Sequence, residues 1–349
     1  MDSNTKELFH SVYAPPRSSS GMTVEDIYKD SEVLSFALAR HGLLEGLKAL
    51  DLKPGDSILI PSFICRDVLA PINILGLKIL FYPVDQNLKF VGSAKELPLA
   101  KAILAIHYFG LETDLSVYKE YCDRVGAFLI EDNAHGFLSR STQGNFLGTQ
   151  GDIGIVSVRK TLPIANGAIL IFKRGRFTLP KLQPMKIVNW RLIIKNSLRP
   201  LVAKWGTGLL LRLTKFKRQL RLLLKGKEFP ESTDQDEWEL SMIQSPVEFN
   251  SYISKMDIAK EIWRRRALFE VLGQFLKDES IEPYRKSLSA NEVPYGYPFF
   301  CSPEQIGIVR KRLESVGMEI VNWPALPKVI DNSSTPSFYR NLYLVKFLW

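Results

Sequence analysis

The segment from Ile130 to Ala168 places reactive side chains at the ends of two short apolar stretches. The first stretch ends in a carboxylate, Asp132, and a histidine follows three residues later at His135. The second stretch ends in polar and basic residues and is followed by a glycine turn. These are Ser157, Arg159, Lys160 and Gly167. A carboxylate and a lysine brought together by neighbouring strand ends would form a site for covalent chemistry on a carbonyl group.

A buried acid and a lysine are the pair that pyridoxal phosphate chemistry requires. The lysine binds the cofactor's aldehyde as a Schiff base, and the acid keeps the ring nitrogen protonated so that the ring accepts electrons. Each residue alone indicates little. Asp132 at a strand end also suits a helix or turn cap, His135 suits a hydrogen-bonded structural role, and Lys160 suits a solvated surface charge. The combination is the stronger signal.

The elements around these residues alternate between short apolar strands and amphipathic helices. We predict helices at 33–50, 68–75 and 115–125, and strands at 57–60, 78–81, 102–106 and 127–130. This alternation predicts an α/β fold: a three-layer sandwich with a mainly parallel sheet and helices on both faces. Ligands bind at the carboxyl ends of such strands, where His107, Asp132 and Ser157 are expected.

The chain divides into four parts by composition. Residues 1–21 are polar and rich in Pro and Ser, which predicts a flexible arm. Residues 22–180 form the large domain, 181–240 a basic and then acidic linker, and 241–349 a smaller α+β domain. In the last part we predict a long helix at 253–276, a helix at 303–316, and strands at 294–300 and 319–323.

The composition of the 349 residues is that of a soluble globular protein, with 46% hydrophobic and 24% charged residues. The first ten residues lack the apolar core of a secretory signal, and no apolar run is long enough to cross a bilayer. Three widely spaced cysteines predict reduced thiols and a cytoplasmic protein. We predict no metal site.

Much of the formal charge of +9 comes from residues 186–227, where Lys and Arg recur among leucines and tryptophans without an acid. The preferred interpretation is helices with an apolar stripe packed inward. The alternative is a surface for anionic lipid head groups or nucleotide diphosphates, which would allow peripheral membrane contact. No nucleic-acid-binding motif accompanies the charge, so we expect no nucleic-acid partner.

Four motifs resemble those of the fold type I aminotransferases of the DegT/DnrJ-like sugar-nucleotide family. P-G-D-S-I-L-I-P-S-F at 54–63 resembles the family's P-G-D-E-V-I-V-P-S-F. A-I-L-A-I-H-Y-F-G at 102–110 resembles its apolar strand ending in H-x-Y/F-G. I-E-D-N-A-H-G at 130–136 resembles I-E-D-A-A-Q/H, and G-D-I-G-I-V-S-V-R-K at 151–160 resembles G-D-x-x-x-F-S-F followed by Lys.

The resemblance implies pyridoxal phosphate as cofactor and assigns roles to matching residues. Lys160 would hold the cofactor covalently and shuttle protons, and Asp132 would pair with the ring nitrogen. His135, where the family often has Gln, would lie near the ring oxygen, and Ser157 would contact the phosphate. The cofactor-binding residues so predicted are Asp132, His135, Ser157, Ala39, Arg40 and Cys65.

The chain departs from the family pattern at three places. The phosphate-binding Thr of S-G-T-A-A-L is Arg40, which can still bind phosphate as a charged fork at a helix N-terminus. The stacking aromatic residue after P-S-F is Cys65. The spacing between Ser157 and Lys160 is two residues shorter than usual, although counting back from Asn166 restores the lysine position. For the family's N-Y/F-R segment, Asn189-Trp190-Arg191 is a candidate.

The resemblance implies an aminotransferase that converts a nucleotide-linked keto sugar into an amino sugar with glutamate as the amino donor. The product would serve surface polysaccharide or natural-product synthesis, and the enzyme would be a homodimer. The alternative is a non-catalytic relative that keeps the fold as a binding or regulatory protein, as the changes at Arg40 and Cys65 would suit. Sugar deoxygenation is disfavoured by Lys160, because a histidine replaces that lysine in the deoxygenating relatives.

Overall fold

The structure is a computed structural model that describes residues 2–12, 21–164, 166–178, 216, 233–240, 253–330 and 335–348. Seven strands build the large domain: β1 (Ser31–Phe36), β2 (Ser57–Pro61), β3 (Lys78–Tyr82), β4 (Ala102–Ile106), β5 (Phe128–Asn133), β6 (Ile153–Val156) and β7 (Ala168–Lys173). The helices before and between them are α1 (Ser3–His10), α2 (Val24–Ile27), α3 (Ala39–Ala49), α4 (Leu69–Ile74) and α5 (Ser116–Val125).

The seven strands form one sheet in the order β1-β7-β6-β5-β4-β2-β3. Strands β3, β2, β4, β5 and β6 run parallel, and β7 and β1 add antiparallel pairs at one side. The interior strand β4 is buried along its whole length, as expected when helices cover both faces of a parallel sheet. The predicted α/β architecture is confirmed.

Helix α3 packs closely on the sheet because it has glycine at positions 42 and 46. A Cβ atom at Gly46 would lie only 2.7 Å from Cδ1 of Ile153 and 3.0 Å from Cδ1 of Leu170. The backbone of α3 therefore approaches strands β6 and β7 directly. This contact brings the N-terminus of the helix to the carboxyl ends of the parallel strands.

Within the described residues, the smaller domain is an antiparallel sheet of four strands with three helices. Its strands are β8 (Glu282–Pro283), β9 (Gly296–Phe300), β10 (Ile320–Asn322) and β11 (Leu342–Lys346), in the order β10-β11-β9-β8. Its helices are α6 (Ile258–Phe275), α7 (Ile306–Ser315) and the short α8 (Phe338–Asn341). The predicted helices and strands of this part are present with small shifts of their ends.

Two sequence-based expectations differ from the structure. The helix predicted from Val33 begins only at Ala39, because residues 31–36 pair with β7 as a strand, a contact that the local pattern does not reveal. The predicted arm contains a helix, α1, whose Phe9 is buried with Val12 against the small domain. Apolar contact with a distant part of the chain therefore orders this polar segment.

The basic segment 186–227 lies outside the described residues, apart from Phe216, and so does the candidate Asn189-Trp190-Arg191. Among the described residues, no helix is both long and apolar enough to span a bilayer. Within the same residues, no cluster of three or more His, Cys, Asp or Glu side chains is arranged to hold a metal ion.

Candidate active site

The carboxyl ends of β4, β5 and β6 border a cavity of about 110 Å³. Its lining includes all seven residues predicted from the sequence: Ala39, Arg40, Cys65, Asp132, His135, Ser157 and Lys160. Asp132 belongs to β5, Ser157 follows β6 directly, and Lys160 ends the short 3₁₀ turn that comes next. The topology thus brings together side chains that are up to 121 positions apart in the sequence.

A direct contact in the cavity joins two of the residues predicted to act on the cofactor, Lys160 and His135. Nζ of Lys160 lies 3.0 Å from Nε2 of His135. The other ring nitrogen, Nδ1, accepts a hydrogen bond from the backbone N–H of Phe109 at 3.2 Å. Because a backbone N–H can only donate, this bond assigns neutral His135 the tautomer with its proton on Nε2, which donates to Lys160 only when Lys160 is an uncharged amine.

The backbone around Phe109 is bent to make this bond. Phe109 has a φ of 59°, a left-handed conformation that is uncommon for a residue with a side chain. Gly110 follows with a φ of 80°, and a Cβ there would lie 2.9 Å from the carbonyl oxygens of both His135 and Val293. The glycine of the H-Y-F-G motif is therefore required by a close approach of three backbone segments.

Aromatic rings hold the His135 imidazole in place. The Tyr295 ring stacks on it with centroids 4.5 Å apart and an angle of 5° between the planes, and Trp323 meets it edge-on at 5.1 Å. Burial, reinforced by the positive charges of Lys160 and Lys346, holds the pKa of His135 well below its usual value. The ring is therefore neutral near pH 7 and presents its Nε2 proton to the cavity.

Asp132 lies at the end of β5 and accepts a hydrogen bond from the N–H of Ala134 at 2.9 Å. Burial raises the pKa of this carboxyl, while the positive charge of Lys160 and the Ala134 N–H oppose the rise. A cationic partner in the cavity would lower the pKa again, since an opposite charge favours the ionised form. The carboxylate is thus suited to bind a protonated nitrogen.

A buried pair, His107 and Glu131, adjoins the cavity, and His107 is part of its lining. Nε2 of His107 is 2.8 Å from Oε2 of Glu131, and the N–H of Thr113 donates to Nδ1 of the same ring at 3.1 Å. Glu131 also accepts from three backbone N–H groups, those of Gly148, Gln150 and Gly151. Burial alone would raise the pKa of Glu131, but His107 and these N–H groups bring it below its usual value. The pair ties β4 to β5 and to the loop before β6.

One wall of the cavity is the N-terminus of α3. Its N-cap residue, Leu38, provides no side-chain acceptor, and its first turn contains Arg40 and no acid. Uncapped N–H groups and a positive charge at a helix N-terminus favour an anion. Arg40 is ion-paired on both sides, with Asp67 at 3.7 Å and Asp236 at 3.8 Å. A bound anion would therefore share this arginine with two carboxylates.

Cys65 lines the cavity where the family has an aromatic residue, and burial raises the pKa of its thiol to about 11. The thiol is therefore uncharged near neutral pH and acts as a small apolar wall. Trp323, from the small domain, lines the same cavity and packs against Phe63 with centroids 5.7 Å apart. An aromatic ring thus reaches the cavity from a part of the chain that the sequence motifs do not identify.

Sequence reasoning also left Asp67, Tyr295 and Asp236 without a role. Asp67 follows Cys65 by two residues and lines the cavity, but a single acid in a loop carries no signal of its own. Tyr295 and Asp236 reach the site only through the packing of the second half of the chain on the first. Arg159 also lines the cavity, and burial lowers the pKa of its guanidinium.

Comparison with known proteins finds a family match for the large domain. Residues 23–175, which contain every cavity residue predicted from the sequence, match the DegT/DnrJ/EryC1/StrS aminotransferase family. The match therefore covers the strands and helices of the large domain. The resemblance seen in its motifs is thereby confirmed, and with it the class of enzyme, since this is a family of aminotransferases.

Solved structures with the same fold match nearly all of this chain. The aminotransferase TlmJ from Streptoalloteichus hindustanus is 19% identical, with a TM-score of 0.57 over 99% of this chain and 85% of its own. DesV from S. venezuelae, solved with a ketimine intermediate, is 15% identical, with a TM-score of 0.60 over 98% and 88%. A GDP-4-keto-6-deoxymannose-3-dehydratase, solved with a trapped PLP-glutamate geminal diamine, is 17% identical, with a TM-score of 0.59 over 99% and 93%. At these identities the likeness establishes the fold.

Proposed function

We propose that this protein is a pyridoxal-phosphate-dependent aminotransferase that converts a keto sugar carried on a nucleotide into an amino sugar, with glutamate as the amino donor. One observation carries the proposal: Lys160, Asp132 and His135 line a single cavity at the carboxyl edge of the sheet, with Lys160 Nζ 3.0 Å from His135 Nε2. A dehydratase of the same fold was solved with PLP and glutamate, which supports this choice of donor.

The donor groups of the cavity fit the cofactor at each of its polar ends. Lys160 provides the amine for the aldehyde, and Asp132 provides a carboxylate for the protonated ring nitrogen. Arg40, Ser157 and the uncapped N-terminus of α3 at Ala39 provide a charged fork, a hydroxyl and N–H groups for the phosphate. Bound there, pyridoxal phosphate supplies the electron sink that amino-group transfer requires.

The remaining chemistry belongs to side chains of this protein. Lys160, as a free amine, takes up and returns a proton at Nζ. His135 offers its Nε2 proton as a hydrogen bond within 3.0 Å of that nitrogen and stays neutral because burial depresses its pKa. Asp132 would hold the protonated ring nitrogen of the cofactor through its carboxylate. Together these three side chains fix the positions of charged and hydrogen-bonding groups in the cavity before the substrate binds.

A spectroscopic experiment tests the cofactor and the lysine together. Protein mixed with pyridoxal phosphate should show a visible absorbance band, and borohydride reduction should leave a pyridoxyl group on Lys160 in peptide mass spectra. Lys160→Ala should lose both. Lys173→Ala is the control, because this exposed lysine ends the antiparallel strand β7. Wild-type protein without the band would contradict the enzyme proposal and favour the non-catalytic alternative.

The donor and the acceptor need a second experiment. Glutamate added to the loaded protein should shift the absorbance band, and a nucleotide-linked keto sugar should restore it with formation of an amino sugar detected by mass spectrometry. Asp132→Asn should keep the cofactor but slow the glutamate-driven shift by about 10²-fold or more, since a ring-nitrogen partner without charge stabilises the developing charge poorly. A band that responds to no amino acid would contradict the proposal.

We further propose that the protein acts as a cytoplasmic homodimer in the synthesis of a surface polysaccharide or a natural product. Light scattering at micromolar concentration tests the dimer. For the basic segment 186–227, peripheral contact with anionic lipid remains a proposal, which sedimentation with vesicles of anionic and of neutral lipid tests. Binding that is equal for both kinds of vesicle would contradict an electrostatic contact.

A further inference from the structure

Helix α6 of the small domain carries three charged side chains that are almost completely buried. The exposed fraction is 0% for Glu261, 3% for Arg264 and 1% for Arg265. Burying charge is costly unless every charged group is paired and hydrogen-bonded. Burial alone would raise the pKa of Glu261, yet the two arginines bring it below its usual value, so the three residues form a stable charged cluster.

Arg265 directs its guanidinium away from the helix and toward backbone carbonyl groups. Nε donates to Oε1 of Glu261 at 2.6 Å, which fixes the orientation of the side chain. One terminal nitrogen donates to the carbonyl oxygens of Pro294 and Tyr295 at 3.1 and 3.2 Å. The other donates to the carbonyl oxygen of Thr161 at 3.0 Å. The guanidinium of Arg265 therefore joins the segment just before β9 to the turn that carries Lys160.

Two of the three carbonyl groups that Arg265 contacts, those of Thr161 and Tyr295, belong to segments that reach the active site. Thr161 is the residue directly after Lys160, so one contact holds the backbone of the lysine turn. Tyr295 stacks on His135, and its N–H donates to the carbonyl of Phe109 at 2.7 Å. Phe109 in turn donates its N–H to Nδ1 of His135. Arg265 is thus hydrogen-bonded to the backbone next to Lys160, at Thr161, and to the backbone of Tyr295, which packs on His135.

We propose that Arg265, oriented by Glu261, is a positioning residue that sets the distance and orientation of Lys160 relative to His135. Arg265 is absent from the cavity lining and touches neither nitrogen, so it acts through the backbone of Thr161 and Tyr295. The inference rests on the proposed function for its consequence in catalysis. The geometric relationship itself is observed without a cofactor and can be tested in cofactor-free protein.

The neighbouring Arg264 is a matched control. It is equally buried, lies on the same helix and donates to the same carboxylate, with contacts of 2.6 and 2.7 Å. Its other contacts are the carbonyl of Phe347 and the hydroxyl of Ser11, neither of which lines the cavity. Arg264→Lys therefore perturbs the same buried cluster without releasing the lysine turn.

The test compares Arg265→Lys with Arg264→Lys, because a lysine keeps the charge but lacks the planar fork whose three nitrogens reach Glu261, Tyr295 and Thr161. The first readout uses cofactor-free protein: the rate at which acetic anhydride labels Lys160, relative to the exposed Lys173, by mass spectrometry. We expect this ratio to change by about threefold or more in Arg265→Lys, because a released Thr161 carbonyl would let Lys160 Nζ move away from His135 Nε2. In Arg264→Lys the ratio should stay unchanged.

The second readout uses loaded protein and the absorbance change driven by glutamate. In Arg265→Lys we expect the rate at saturating glutamate to fall about 10- to 100-fold with little change in the half-saturating concentration. The pH dependence of the absorbance band should also shift, whereas Arg264→Lys should match wild type in both respects. Urea unfolding measures the stability lost by each variant. Equal effects of the two substitutions would overturn the proposal and assign Arg265 a general structural role.

Glu261→Gln is the second variant, should Arg265→Lys not fold. It keeps the size of the side chain and the carbonyl contacts of Arg265 but weakens the bond that orients its fork, so a smaller shift in the same direction is expected. An unchanged labelling ratio in Glu261→Gln would also overturn the proposal. If wild-type protein binds no pyridoxal phosphate, the proposed function fails, while the labelling ratio of Lys160 still decides the positioning role.

Discussion

The backbone N–H of Phe109 donates to Nδ1 of His135, and this bond determines which ring nitrogen carries the proton. The Nε2 proton then points to Lys160 and to any acceptor bound beside it. A side-chain amide at the same position can offer an equivalent donor. The Gln that related sequences often have where this chain has His135 is therefore explained by one shared requirement, an N–H directed into the cavity.

Substitutions of His135 test this requirement. We expect His135→Gln to keep cofactor binding and to retain glutamate-driven turnover within about tenfold, because the amide preserves the donor. His135→Leu removes the donor at similar volume, and the rate should fall by a further 10- to 100-fold, measured by stopped-flow absorbance. Equal rates in the two variants would show that the donated proton is unimportant and that only packing against Tyr295 matters.

The depressed pKa of His135 predicts how stability depends on pH. In the unfolded chain a histidine titrates near pH 6.5, whereas in the folded protein burial keeps His135 neutral to a much lower pH. The unfolded state therefore binds the additional proton, and the contribution of the neutral ring to stability is present above about pH 6.5 and lost as the pH falls.

Urea unfolding at pH 7.0 and 5.5 measures this effect. Between the two values wild type should lose about 1 kcal/mol more free energy of unfolding than His135→Gln, which has no group that titrates there. Far-ultraviolet circular dichroism should show both proteins folded at each pH. A pH effect that is identical in the two proteins would contradict the prediction that His135 is neutral in the folded state.

Arg40 is expected to bind the phosphate of the cofactor despite its two acidic neighbours. Arg40→Ala should weaken pyridoxal phosphate binding by about 10- to 100-fold, because a hydrogen bond to a charged group contributes about 1.5–3 kcal/mol. Absorbance titration measures the affinity. Arg66→Ala is the control: Arg66 pairs with Asp234 of the same acidic stretch at 2.9 Å but does not line the cavity. If both variants bind the cofactor equally well, Arg40 has no part in phosphate binding.

The buried pair of Glu131 and His107 is expected to matter for stability more than any exposed ion pair. Glu131→Gln removes a carboxylate that accepts from His107 and from three backbone N–H groups, and should lower the free energy of unfolding by about 3–5 kcal/mol. Glu45→Gln breaks the partly exposed pair with Lys48 and should cost less than about 1 kcal/mol. Chemical denaturation compares them, and similar losses would contradict the assignment.

Much of the large domain follows from the sequence because its signals are local. Short apolar strands separated by helices predict a parallel sheet, and the carboxyl ends of parallel strands share one edge. The sequence alone therefore predicts that Asp132, Ser157 and Lys160 lie beside one another. Residues 31–36 could not be recognised as a strand, because their partner β7 lies more than 130 positions away and the pairing decides the conformation.

The sequence by itself determined which side chains reach the sheet edge and what chemistry they suit. Only the tertiary structure decided how they are held. The N–H of Phe109 determines which nitrogen of His135 carries the proton, and Tyr295 and Trp323 pack against its ring. Arg265 donates to the carbonyl of Thr161, next to Lys160. The physical reason is that these contacts join segments whose approach depends on the packing of the two domains, and packing over such distances leaves no periodic trace in the sequence.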